Sequence, residues 1–287
     1  MSLDRKFGVV IPASQDRLDN LKEVSAYLNA QTVLADEVVI VCDGWVPSEP
    51  LSAYFNVHAK AISMEKYQPN GFMQQPRNVG VKHLSDDIDY VWFLDSDCIP
   101  DPRALEAYKE ALSIDETDRI LIGPYEWLPP GTRSIKRELH NDPRTQMFLD
   151  YGPDFIAVEQ LNFALANFSG NLMWPVSEFK RVGGFWNEIN MGRCEDGELG
   201  LRASSLGVAS SVVPKARAWH LWHPINTAWV VGANARDVPK LNERHPWVEE
   251  KGMIVADKDG KRFDIVCPKC EQQINSSEIW EHPCQIH

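Results

Sequence analysis

Short uninterrupted apolar runs punctuate the first hundred residues, and each stops at a turn-forming or acidic residue. Phe7–Ile11 ends at Pro12, Glu37–Cys42 runs into Asp43-Gly44, and Tyr90–Leu94 runs into Asp95-Ser96-Asp97. Runs of this length without alternation describe strands buried on both faces. A further strand is expected over Val57–Met64. Between the strands the period changes. Leu18, Leu21, Val24, Ala26 and Leu28 recur at roughly helical spacing, with Asp16 or Asp19 available near the helix start. Gln74–Leu84 and Ala104–Leu112 read as further helices.

Strands alternating with helices imply an α/β fold with a mainly parallel sheet covered on both faces. Ligands of such sheets bind beyond the carboxyl ends of the strands. Pro12-Ala13-Ser14, Asp43-Gly44 and Asp95-Ser96-Asp97 all occupy those ends, so one ligand-binding edge is predicted. From about 124 to 170 the pattern loosens into Pro, Gly, Asn and charged residues, which read as loops. Helices resume at Val176–Val182 and Glu195–Leu206, followed by strands at Ala209–Val213 and Ala216–Trp219. This organisation divides the chain into a main domain over 1–235, a polar, Pro-interrupted connector or wrapping segment over 236–262, and a small unit over 263–287.

Composition narrows the class. The chain is 44% hydrophobic and 24% charged, ordinary for a soluble globular protein. No window approaches the ~18 apolar residues of a membrane span, and MSLDRKFGVVIP lacks the apolar stretch of a secretory signal. A cytoplasmic protein is expected. The net charge of −12 argues against a surface built to hold phosphate backbones, and it suits carboxylates gathered around a cation. Cys42, Cys98 and Cys194 are dispersed, whereas Cys267, Cys270 and Cys284 cluster near the end. That pattern indicates a reducing compartment and one local metal site rather than a disulfide framework.

Two carboxylates at i and i+2 past a strand end, Asp95 and Asp97, can approach one hard cation. Magnesium and manganese favour such oxygen ligands. An Asp-rich turn is also common for local reasons, so the triplet gains meaning only from its company. That company is Val9–Ser14, Val38–Gly44, Pro76-Arg77-Asn78-Val79-Gly80, Phe93–Asp97, Gly183-Gly184-Phe185 and Cys194–Arg202, the last containing Glu195-Asp196. In order, spacing and context over roughly residues 6–225 this set resembles glycosyltransferase family 2, whose fold is of the GT-A type.

The resemblance implies an inverting, metal-dependent transfer of a sugar from a nucleotide diphosphate, most naturally a UDP-sugar, to an acceptor hydroxyl. It implies that Asp95 and Asp97 hold a manganese or magnesium ion and the diphosphate, and that Asp43 bonds the nucleobase. Pro12, Ala13, Ser14 and Arg17 would contact the nucleotide, and Arg77 and Asn78 would line the donor pocket. Asp196, with Glu195 as the alternative, would deprotonate the acceptor. A late His completes the metal shell in many such enzymes, and His220 or His223 is placed to do so. Cys42 stands where the family often has an acid, which weakens the inference of a uridine base. Arg202 is expected to brace the acids. Trp174 and Trp186 are expected to pack in the core, with stacking on a sugar or base as the alternative. The basic stretch Arg133–Arg144 is expected to form a solvated face.

The terminal unit reads C-x2-C-x11-H-x4-H through Cys267, Cys270, His282 and His287, the spacing of a two-Cys, two-His zinc finger. Cys284 is an alternative ligand. Lys269 is the only Lys or Arg from 267 onward, against Glu271, Glu278 and Glu281, so a structural or protein-docking use is expected over DNA binding. Acceptors consistent with this organisation are a saccharide, a lipid-linked glycan, a protein or a modified DNA base. Two rival readings are a nucleotidyltransferase, for which the Pro12–Arg17 loop lacks glycine, and an inactive sugar-nucleotide-binding module recruited through the terminal unit.

Overall fold

The structure is a computed structural model that describes residues 5–66, 73–114, 117–128, 169–189, 195–223, 236–237, 239–246, 263–266 and 273–275. Its centre is a seven-stranded sheet. In chain order the strands are β1 (Phe7–Ala13), β2 (Glu37–Asp43), β3 (His58–Met64), β4 (Tyr90–Leu94), β5 (Cys98–Pro100), β6 (Ile120–Ile122), β7 (Tyr125–Trp127), β8 (Asn171–Pro175), β9 (Ser210–Val212), β10 (Ala218–His220), β11 (Phe263–Val266) and β12 (Gln273–Asn275). The helices are α1 (Leu18–Asn29), α2 (Gln74–Lys82), α3 (Ala104–Ile114), α4 (Val176–Arg181) and α5 (Glu195–Ser205).

The main sheet runs β3-β2-β1-β4-β8-β6-β9. β1, β2, β3 and β4 are parallel, β6 and β9 are parallel, and β8 is antiparallel to both β4 and β6. β1, β2 and β4 are buried at every position, as expected of runs without alternation. Their side chains divide between two apolar layers. Val9, Ile11 and Trp92 pack with Leu21, Val24 and Leu28 of α1 and Leu105 and Tyr108 of α3. Val10, Phe93 and Trp174 pack with Val81 of α2, Phe179 of α4 and Leu199 and Ala203 of α5. Trp174 is therefore a core residue, in edge contact with Phe179 at 5.8 Å.

Several elements differ from the sequence expectation. Pro12 does not end β1: it continues paired with Val41 of β2, beyond Val10, where pairing with β4 stops. A proline is tolerated there because its missing N–H forfeits no bond to β4. β8 and the short β6 and β7 were not anticipated, and β7 falls within the region that reads as loops. Three-residue strands carry too little pattern to register, and β8 gets its stability from being flanked on both sides.

A second sheet, β5-β10-β7, sits past the end of β4. It is held to the first by Asn171, fully buried at the start of β8. The Asn171 amide donates to the Pro124 and Ala216 carbonyls at 3.0 and 2.7 Å, and its oxygen accepts from Trp92 and Tyr108 at 2.9 and 3.0 Å.

Part of the predicted connector is packed on the main domain. Leu241 and Asp237 are buried, and Lys240 donates to the Glu188 carbonyl at 3.1 Å. Residues 263–266 and 273–275 form a two-stranded antiparallel ladder. Cys267, Cys270, Cys284, His282 and His287, like the 133–144 stretch and Cys194, lie outside the described residues. Among the described residues no helix is long and apolar enough to cross a membrane.

Candidate active site

The polar turns after β1, β2 and β4 come to one edge of the sheet because the strands are parallel neighbours in register, with Ala13 beside Cys42 at their ends. Asp43 ends β2 and is buried, and the Trp45 indole donates to the Ala13 carbonyl at 3.1 Å. After Pro12, Ala13 and Ser14 the chain makes a tight helical turn, Gln15–Arg17, that aims Arg17 across the edge. Its guanidinium pairs with Asp97 Oδ2. The turn holding Asp95 and Asp97 is closed by the Cys98 N–H donating to the Asp95 carbonyl at 3.0 Å.

The strand β10 delivers the histidines. Its antiparallel pairing with β5 sets His220 opposite Cys98, and the Leu221 N–H donates to the Asp97 carbonyl at 2.8 Å. His220 Nε2 lies 3.5 Å from Asp97 Oδ1, and His223 Nε2 lies 3.7 Å from Asp97 Oδ2. Burial lowers the pKa of His220, partly offset by Asp97, which favours the neutral imidazole that binds metals. A buried carboxylate with two imidazole nitrogens near it is a donor set that fits a divalent cation, and Asp97, His220 and His223 are the residues that would hold it.

A second cluster adjoins the first. Arg77, on the first turns of α2, is buried. It donates to Asp95 Oδ1 at 2.6 Å and lies 3.7 Å from Glu195 Oε1. Burial opposes its charge, but Asp95, Asp196 and Glu195 together hold its pKa above the ordinary value. Glu195 and Asp196 open α5. Burial and the neighbouring Asp196 push Glu195 up to about 8, against the pull of Arg77. Burial also raises Asp196, with Arg77 and Ser169 opposing. Ser169 donates through both its hydroxyl and its N–H to the Asp196 carboxylate, and the Gly170 carbonyl accepts from the Asp95 N–H at 3.4 Å. The Asp-x-Asp turn and the acid pair are thus tied through Arg77 and through Ser169-Gly170.

Asn78 is spent on structure. Its amide donates to the Phe185 carbonyl and its oxygen accepts the Phe185 N–H, both at 2.9 Å. This clamps the Gly183-Gly184 turn, where both glycines have positive φ and a Cβ on Gly184 would come within 2.7 Å of the Asn78 oxygen. Arg202 also braces rather than binds: it grips Glu198, fully buried, at 3.0 and 2.6 Å. Glu198 is shared with His245 at 3.1 Å and Arg244 at 3.2 Å, so it fastens the wrapping segment to α5. Arg244 in turn lies 4.1 Å over the Trp186 ring.

Two site residues escaped the sequence reading. Ser169 sits at the end of the region that reads as loops, and its only signal is a Ser-Gly step before an apolar run. Cys98 lay next to the Asp-x-Asp turn, but its pairing with His220 is non-local.

A family model described as glycosyl transferase family 2 matches residues 8–171, more than half of the chain. Among solved structures, S. aureus TarS superposes with a TM-score of 0.55 at 16% identity, covering 84% of this chain and 43% of that one. S. aureus TarS 1-349 in complex with UDP-GlcNAc superposes with a TM-score of 0.58 at 17% identity, covering 80% and 65%. The same protein in complex with UDP gives 0.54 at 18% identity, covering 86% and 74%. The chain therefore spans less than two thirds of the first two structures, and at these identities the likeness is one of fold. No curated protein matches.

Proposed function

The chain belongs to glycosyl transferase family 2, and from that premise we propose that it moves a sugar from a nucleotide diphosphate, a UDP-sugar, to an acceptor hydroxyl with inversion. The observation that carries this reading is the convergence of Asp95, Asp97, Glu195 and Asp196 on one sheet edge, bridged by the buried Arg77 and bordered by His220 and His223. That S. aureus TarS was crystallised with UDP-GlcNAc and with UDP supports the choice of donor.

In this reading Pro12, Ala13, Ser14 and Asp43 face the nucleoside at the ends of β1 and β2. Arg17 is within reach of the diphosphate while it holds Asp97. Asp95, Asp97, His220 and His223 would hold a manganese or magnesium ion. A bound cation would neutralise the charge that develops on the departing nucleotide diphosphate. Asp196 is the general base. Its raised pKa makes it a better proton acceptor than an exposed aspartate, and the Ser169 hydroxyl and N–H fix the orientation of its carboxylate. Burial and the neighbouring Asp196 push Glu195 up to about 8, which favours one proton shared by the acid pair and spares it a second negative charge. Arg77 keeps three acids together that would otherwise repel. We assign this chemistry to the domain over 1–235, with the wrapping segment stabilising α5 and the small unit over 263–287 holding zinc through Cys267, Cys270, His282 and His287 as a protein-docking or structural element.

The test is a thermal-shift screen of UDP-, GDP- and dTDP-sugars with and without manganese or magnesium. UDP-sugars with the ion are expected to stabilise the protein, by about 2.7 kcal/mol at a hundredfold excess over Kd. Asp97→Asn should remove the ion-dependent part. If no nucleotide shifts the transition with either ion, the proposal fails.

A further inference from the structure

Residues 239–244 of the wrapping segment are helical, and this short helix touches the main domain on both sides of the stretch that carries the acid pair. On the amino-terminal side, Lys240 donates to the Glu188 carbonyl at 3.1 Å, and the Arg244 guanidinium lies 4.1 Å from the centre of the Trp186 ring. The two cations are four residues apart, which puts them on one helix face. On the carboxyl-terminal side, Arg244 Nε and His245 Nε2 lie 3.2 and 3.1 Å from the same oxygen, Glu198 Oε1. Leu241 is buried and anchors the helix between these contacts. Glu198 is itself fully buried, and its other oxygen accepts from Arg202 at 2.6 Å. Burial favours the neutral acid, but the hydrogen bonds from His245 and Arg202 outweigh it and hold the Glu198 pKa below its ordinary value. Because Glu198 accepts as a carboxylate, His245 Nε2 carries the shared proton.

We propose that His245 is a positioning residue for the acid pair: with Lys240 and Arg244 it fixes α5 against the 185–189 loop, and so sets the reach of Asp196 to the acceptor. The inference rests on the reading of Asp196 as the general base. Glu198 stands three residues after Glu195 on the same face of α5, about 4.5 Å along the axis. A hydrogen-bonded helix is stiff over one turn, so the place where Glu198 is held decides where Glu195 and Asp196 stand. Ser169 orients the Asp196 carboxylate, whereas His245, acting through Glu198, locates the helix start that carries it. The same small helix grips the loop before the acids and the turn after them, which makes it a strap across the base rather than a packing element at a distance.

Two readouts on the full chain separate positioning from mere stabilisation. The first is amide hydrogen exchange of α5, which needs no substrate. His245→Ala should speed exchange in α5 and leave α1 as it was. His245→Gln, whose amide can replace Nε2 as the donor to Glu198, should restore protection. The second is UDP release from UDP-GlcNAc with manganese, set beside UDP-GlcNAc affinity, at a temperature below every variant's transition. His245→Ala should lower kcat by roughly 100-fold, the scale on which a misplacement of about 1 Å acts, with affinity unchanged. His245→Gln should recover most of that loss. Leu28→Ala, which loosens the core under α1, is the control for lost stability and should keep kcat. Unchanged α5 exchange in His245→Ala overturns the proposal, as does faster exchange with kcat intact. An equal fall in kcat in the Leu28→Ala control also overturns it, since lost stability would then account for both. If the unmodified chain releases no UDP from any UDP-sugar, the transfer reading fails, and exchange still decides whether His245 holds α5.

Discussion

Asp97 and Asp196 stand at the same edge of one sheet, yet in opposite electrostatic company. Asp97 has Arg17 on one oxygen and imidazoles near both. Asp196 has Glu195 beside it in sequence, Asp95 nearby and one buried cation, Arg77, serving all three. The first environment gathers neutral and positive donors around one carboxylate, which suits holding a cation and a diphosphate. The second crowds carboxylates in a poorly solvated place, which raises their pKa values and suits taking a proton. The contrast lies in the surroundings: neighbours from distant strands and helices give one side-chain type two electrostatic settings, which the proposed function puts to two tasks.

The most direct way to break the comparison is at the base. Asp196→Asn should lower turnover by about 10²- to 10⁴-fold while donor binding persists, measured as UDP release against UDP-sugar affinity. Turnover near that of the unmodified chain would transfer the role elsewhere, with Glu195→Gln as the next variant to assay. Removing the shared cation comes next. Arg77→Met leaves carboxylates facing one another without a counter-charge and should cost about 3–5 kcal/mol in denaturant unfolding. Adding Glu195→Gln should return part of that loss, since the two residues interact directly.

The pH dependence sharpens the same contrast. Glu195 is pushed up to about 8, so between the ordinary glutamate range and about 8 the folded chain binds more protons than the unfolded one. Stability contributed by this group therefore falls as pH rises through that window. Glu195→Gln should flatten the slope, read from unfolding curves across the window; a slope that survives the substitution would place the raised group elsewhere. The smallest effect concerns the helix that carries Arg77. Gly80 of α2 packs so closely on Val10 of β1 that a Cβ would meet the Val10 side chain. Gly80→Ala should cost about 1–3 kcal/mol by overpacking and should weaken donor-linked stabilisation less than Asp97→Asn does.

Much of this was legible in the chain because it is local. β1, β2 and β4 announced themselves as apolar runs, and β4 was placed at Tyr90–Leu94 with the Asp-x-Asp turn directly after it. Helices α2, α3, α4 and α5 began where their patterns said, since side-chain periodicity and the residues at helix starts act within a few turns. Asn78 illustrates the limit. Its neighbour Arg77 reaches the acids, whereas Asn78 clamps the Phe185 turn, and nothing in the Arg77-Asn78 dipeptide distinguishes the two outcomes. Glu198 likewise reads as an ordinary helical acid until His245 and Arg244 arrive from the wrapping segment.

By itself the sequence determined the alternation of strand and helix, the edge where polar turns collect and the carboxylates available there, because hydrophobic period and turn chemistry are properties of neighbouring residues. Tertiary structure alone decided that β8 runs antiparallel within the sheet, that Ser169 orients Asp196, and that His220 faces Cys98 across a strand pair. Those outcomes depend on pairing between segments scores of residues apart, where the free energy lies in contacts that no local pattern encodes.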